Sequence, residues 1–194
     1  MMARIERGSL LSLEAYARER NAFRARVIEH KKCRTVHLGE HVTLIFEDEL
    51  TVRYQIQEML RIERIFEEAG IEDELEVYNP LVPDGGNLKA TMMIEYPDVA
   101  ERQRSLARLT GIADRVWVQV EGCSRVYAMA DEDLGRENDE KTSAVHFLRF
   151  ELDEVVREAL RGGAQLLVGV DHLQYQAQVL TPPAVRDALA ADLA

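Results

Sequence analysis

Arg34-Thr-Val-His-Leu-Gly-Glu-His-Val-Thr-Leu-Ile-Phe46 decides the fold class of this chain. Apolar residues alternate with polar ones on either side of Gly39-Glu40, so the stretch reads as two short antiparallel strands joined by a tight turn. The pattern returns twice. Arg115-Val-Trp-Val-Gln-Val-Glu121 and Ser124-Arg-Val-Tyr-Ala-Met-Ala130 flank Gly122-Cys123, and Gln165-Leu-Leu-Val-Gly-Val-Asp171 precedes Tyr175-Gln-Ala-Gln-Val179. Leu88–Tyr96 and Ala144–Leu152 are further strands. Hairpins outnumber β-α-β crossovers, which predicts an α+β fold: a mainly antiparallel sheet with helices packed on one face.

The helices carry their own punctuation. Ser12 caps a helix running through Tyr16 towards Arg20, Asn21 restarts it, and Phe23, Val27 and Ile28 form a second stripe ending near His30. Thr51 is the expected cap of a helix to Ala69, with Gly70 as the residue beyond its end. A short helical piece, Glu72 to Tyr78, leads into Asn79-Pro-Leu-Val-Pro83, where two prolines impose an extended connection. Asp98-Val-Ala-Glu101 is a capping box for a helix to Leu109. Another helix spans Asp153 to Arg161, and Thr181-Pro182 opens the last one. The charged stretch Asp131 to Ser143 reads as an exposed loop or a frayed helix. Residues 1–194 make a single domain, with residues 80–86 as the best place for a seam.

Composition narrows the function classes. The chain has 194 residues, 46% of them hydrophobic and 30% charged, which suits a globular domain with a real core. A formal charge of −11 speaks against a nucleic-acid surface, because neutralising phosphates needs a basic footprint. The basic cluster His30-Lys-Lys-Cys-Arg34 reads as cations favouring a helix C-terminus, with a phosphate or acidic-partner site as the alternative. There is no apolar run long enough for a membrane span and no signal-peptide pattern, so the expected location is cytoplasmic. Cys33 and Cys123 stand alone, which signals neither a zinc site nor a disulfide framework. A homodimer is the default expectation for such a chain.

Polar groups on the wrong side of the predicted helix Thr51–Ala69 mark the first candidate site. At about 100° per residue, Val52, Ile56, Met59, Ile62, Phe66 and Ala69 form an apolar arc. Gln55 lies near its middle, Glu58 falls between Ile65 and Ala69, and Glu63 falls between Val52 and Ile56. Arg53, Gln57, Arg61, Arg64 and Glu68 make the wet face. A carboxylate on a core-facing arc needs an arginine, a proton or a metal. Glu58 and Glu63 splay by roughly 140°, so one metal could hardly use both. The structural alternative pairs them with interior arginines such as Arg149 or Arg115. Glu58 is the sharper candidate, and Glu63 reads as half of a salt bridge.

His146 adds an imidazole. Strand alternation places it with Leu148 and Phe150, and puts Val145, Phe147 and Arg149 on the other face. Hydrogen-bonded packing is its ordinary role. Asp171-His172 closes an apolar strand, and Glu95 lies near the end of Leu88–Tyr96. Brought together, Glu58, Glu95, His146 and His172 would make a carboxylate–imidazole site for iron or manganese. The chain has no G-x-G-x-x-G, P-loop, G-x-S-x-G, H-E-x-x-H or E-x-x-H pattern. An enzyme acting on a small acid or thiol would need an open pocket around Glu58 and His146.

Several long segments agree, in order, with one family. Phe46-Glu-Asp-Glu-Leu-Thr-Val-Arg-Tyr-Gln-Ile-Gln-Glu-Met-Leu-Arg-Ile-Glu-Arg-Ile65, Tyr78–Pro83, Ala90–Glu95, Val145–Phe150 and Asp171-His172 together resemble the bacterial domain-of-unknown-function family 3501. Leu173 stands where the resemblance leads one to expect a proline. The resemblance carries no established activity. It implies gene neighbours encoding rubrerythrin-like proteins and iron–sulfur oxidoreductases, and hence an accessory role in an iron, redox or peroxide-stress pathway with such a protein as partner. The alternative is a non-catalytic interaction module whose buried carboxylates are structural ion-pair partners.

Overall fold

A computed structural model describes residues 4–130 and 142–194, so all but the end of the charged stretch Asp131–Ser143 lies outside the described residues. The helices are α1 (Leu13–Lys31), α2 (Glu49–Glu63), α3 (Glu68–Tyr78), α4 (Val99–Arg108), α5 (Glu154–Arg161) and α6 (Pro183–Ala190). The strands are β1 (Thr35–Leu38), β2 (Val42–Glu47), β3 (Asn87–Ile94), β4 (Val116–Val120), β5 (Val126–Tyr127), β6 (Met129–Ala130), β7 (Val145–Glu151), β8 (Leu166–His172) and β9 (Tyr175–Leu180). The fold is α+β, and every strand pairing is antiparallel.

The strands divide into two sheets, ordered β1-β2-β3-β7-β6 and β5-β4-β8-β9. Period-two alternation explains how they share a core. Leu44, Phe46, Ala90, Met92, Leu148 and Phe150 of the first sheet belong to one apolar cluster with Val116, Val118, Val168 and Val170 of the second. Val156 and Leu160 of α5 and Val185 and Leu189 of α6 complete it. The other face of the first sheet receives α2 and α3 through a smaller cluster, in which Val52, Ile56, Leu60, Ile71, Leu75 and Leu81 are buried with Phe147 against them. Helices therefore cover one face of the first sheet, while its opposite face meets strands.

Local chemistry moves several expected boundaries. α1 is continuous through Asn21, capped by Ser12, whose hydroxyl accepts from the Ala15 amide. α2 starts earlier than expected: Asp48 is its cap, and Thr51 completes a reciprocal capping box from the third helical position. α2 also ends early, at a left-handed Arg64 with φ 56°, and Gly70 sits inside α3. At Gly70 a Cβ would stand 2.8 Å from Ile65, so the glycine admits the turn between the helices. The expected apolar arc accordingly fails beyond Leu60. Ile62 and Phe66 are exposed, and Gln57, placed on the wet face, is buried because its amide bonds both the N–H and the carbonyl of Leu11.

The basic cluster is divided by the fold. Lys32 is exposed, but Arg34 is only 4% exposed. Its Nη1 and Nη2 donate to the two carboxylate oxygens of Asp192, at 2.8 and 2.7 Å. Its Nε lies 3.0 Å from Asp48, which also meets His30 Nε2 at 2.6 Å. One guanidinium thus joins the end of α1, the cap of α2 and the residues after α6.

On the far side of the second sheet, Trp117 lies across from Gly169 and is buried despite facing outward. A Cβ at position 169 would overlap its ring, and the Arg125 guanidinium covers the ring at 4.0 Å. Gly169→Ala is expected to cost about 1–3 kcal/mol by overpacking, read from urea unfolding. Arg34→Met should cost about 3–5 kcal/mol, because Asp192 and Asp48 lose a buried partner. Arg34→Lys should recover only part of that, since an ammonium cannot supply the two-pronged contact.

Candidate functional site

Glu58 is fully engaged by protein groups. Arg20 on α1 grips it with Nε to Oε1 at 2.7 Å and Nη2 to Oε2 at 2.8 Å. The Tyr16 hydroxyl donates to Oε1 at 2.7 Å, and Arg61 reaches Oε2 at 3.3 Å. The expected interior partners were Arg149 and Arg115. These serve Glu151, at 2.5 Å, and Asp171, at 2.9 Å. The partner comes from α1 because α1 packs along α2 on the side where Glu58 emerges. The hydrogen bonds from Arg20 hold the Glu58 carboxyl down at about 2, against burial, which pushes it upward. Burial, followed by the hydrogen bond to Glu58, raises Tyr16 above the ordinary phenol range.

The other three metal-ligand candidates have separate environments. Glu95 is exposed beyond β3, and its Oε2 accepts from Thr43 Oγ1 at 2.9 Å. His146 faces the inter-sheet core across from Met92, with Nε2 at 2.9 Å from both Thr142 Oγ1 and the Ser143 carbonyl. His172 Nε2 lies 3.2 Å from the Thr110 carbonyl, while Nδ1 accepts from the Gln174 amide. Its neighbour Asp171 points to the outer face of the second sheet, where Arg115, Arg125 and Tyr127 hold it. Among the described residues, no three histidine, cysteine, aspartate or glutamate side chains converge to hold a metal ion. Glu63 is exposed at the end of α2 and makes no salt bridge among the described residues, because the helix stops before it can be buried.

A different carboxylate occupies the helix–sheet interface. Gln55 Nε2 donates at 3.0 Å to Oε1 of Glu47 on β2, and the Thr91 hydroxyl donates to the same oxygen at 2.6 Å. Glu47 is 2% exposed, and its buried Oε2 has no hydrogen-bond partner among the described residues. Strand alternation could have found it, since Glu47 shares a face with Thr43 and Ile45 rather than with Leu44 and Phe46.

Glu47 begins a row across the first sheet. Lys89 on β3 stands opposite it, Arg149 on β7 stands opposite Lys89, and Met129 on β6 stands opposite Arg149. Beside Lys89 and Arg149 opens a cavity of about 500 Å³, walled by Pro80, Leu81, Met129 and Phe147. This volume falls in the range of small-ligand sites, roughly 300–1,000 Å³. Lys89 and Arg149 share this cavity with the Asp114 carboxylate as well as with the apolar walls.

Glu58→Gln gives a test with a defined sign. A carboxyl held below its ordinary value stabilises the fold fully above about pH 4.5 and loses that contribution as the pH falls towards 2. The variant should melt a few degrees lower than the parent at pH 7, with the gap closing between pH 4.5 and 2 in thermal unfolding followed by circular dichroism.

A family model described as a protein of unknown function, DUF3501, matches residues 4–193. A crystal structure of a novel protein of unknown function from Burkholderia pseudomallei K96243 is similar at 55% sequence identity, covering 98% of this chain and 99% of its own, with a TM-score of 0.94. No curated protein shows significant similarity to the chain.

Proposed function

The chain belongs to the DUF3501 family, and we propose that it works as a non-catalytic binding protein, an accessory of an iron or redox pathway whose interior carboxylates are structural. The observation that carries this reading is the grip on Glu58, whose two oxygens receive hydrogen bonds from Arg20, Tyr16 and Arg61. A carboxylate so engaged holds two helices together, and removing it to bind a metal would strand the Arg20 guanidinium and the tyrosine hydroxyl. An iron or manganese site on Glu58, Glu95, His146 and His172 would require each residue to leave the partners described above. The pathway assignment rests on the family resemblance, with a rubrerythrin-like or iron–sulfur protein as the proposed partner in the cytoplasm. None of the described helices is long and apolar enough to cross a membrane.

Protein purified without chelator or nickel affinity resin tests the proposal by elemental analysis. The expected result is metal well below one equivalent, with an unchanged melting temperature after EDTA. One equivalent of iron or manganese, lost in Glu95→Ala and His146→Ala variants that remain folded, would overturn it.

A further inference from the structure

We propose that β9 is a dimerisation edge, on which a second copy of this chain adds its own β9 antiparallel. The strand order β5-β4-β8-β9 leaves one side of β9 without a paired neighbour. The Thr181 amide donates to the Leu166 carbonyl, so antiparallel alternation turns the backbone groups of Tyr175, Ala177 and Val179 towards β8. Those of Gln176, Gln178 and Leu180 point the other way, and they make no backbone hydrogen bond among the described residues.

Unpaired strand groups recruit further strands, and native edges are normally blunted by brevity, a charge, a proline, a bulge or a cover. At the other sheet ends β5 and β6 are two residues long and β1 is four. β9 has six, Tyr175-Gln-Ala-Gln-Val-Leu180, with no charge, no proline and an unbroken register. β1 meets it through a side chain, the Tyr175 hydroxyl donating to the Leu38 carbonyl, and no ladder joins the two strands.

The edge is suited to its own copy. Each chain carries a net charge of −11, so two copies approach most easily where the surface is uncharged, as it is along β9. The open groups are also self-complementary. With the two strands antiparallel about Gln178, that residue faces its counterpart, Gln176 faces Leu180 and Ala177 faces Val179, so each open amide finds a carbonyl. The same register sets the turn Leu173-Gln174 beside Pro182 and Pro183 of the second copy. Leu173 is 91% exposed in the single chain, and this contact covers it. Six residues give an edge about 20 Å long. That is small for a permanent interface, which makes the dimer reversible.

Sedimentation of the full chain between about 1 and 500 µM tests this. The expected result is a monomer–dimer equilibrium with a dissociation constant on the order of 10 µM. The Gln176, Gln178 and Leu180 amides should exchange more slowly as concentration rises. Gln178→Pro removes an open N–H without touching the β8 ladder, and should weaken the dimer about tenfold. Gln178→Lys and Gln178→Glu each set like charges opposite one another and should weaken it about fivefold, whereas an equal mixture of the two should recover the parent affinity. Leu173→Ser should weaken it several-fold, and Gln103→Lys on α4 should leave it unchanged. Circular dichroism and urea unfolding establish that each variant is folded.

A chain that stays monomeric across this range would overturn the proposal, even if its edge takes up an unlike strand. So would assembly that continues beyond a dimer, or a dimer unaffected by the proline and both charged variants. A mixture of the lysine and glutamate variants no tighter than either alone would also overturn it.

Discussion

Arg34 is where distant parts of this chain are tied together. Its guanidinium is nearly enclosed, and it answers that enclosure by binding Asp192 with both Nη groups and approaching Asp48 with Nε. Asp48 is at the same time the cap of α2, accepting from the Thr51 amide. The orientation of α2 over the first sheet, the exit of α1 and the anchoring of the chain after α6 therefore depend on one buried charge cluster. Breaking such a cluster is costly because each group left behind would be buried without a partner.

The first sheet is asked to do two things with its two faces. Residues such as Leu44, Phe46 and Met92 point into the largely apolar core shared with the second sheet. The alternate residues Thr43, Glu47, Thr91, Lys89 and Arg149 form a polar surface that α2 and α3 cover only in part. At the covered end the polar groups satisfy one another, as Gln55 and Thr91 do for Glu47. At the edge nearest β6 they line a cavity. The division between mutually satisfied polar groups and an open cavity thus follows how far the helices extend over the sheet.

Much of the secondary structure was legible because it depends on local chemistry. Alternation marked the hairpins at Arg34–Phe46 and Gln165–Val179, and the Ser12 and Asp98 side chains capped the helices they were expected to cap. The break at Arg64 was not legible. Only the packing of α3 under Ile65 and against Leu60 makes a left-handed arginine preferable to four more residues of helix. The candidate site was half legible. The oddity of Gln55 and Glu58 on their helix was real, but the wheel could not name Glu47 or Arg20 as their partners.

The sequence by itself determined the α+β class, the order of the elements and the fact that charged groups would be buried against α2. Those properties follow from periodicity, capping and composition, which act over a few residues. Tertiary structure alone decided that the strands form two sheets, that Glu58 meets Arg20 and Tyr16, and that Lys89 and Arg149 share a cavity wall. Such contacts join residues tens of positions apart. Their pairing is selected by which faces can be buried together and which charges can be satisfied at once, and no local pattern records that choice.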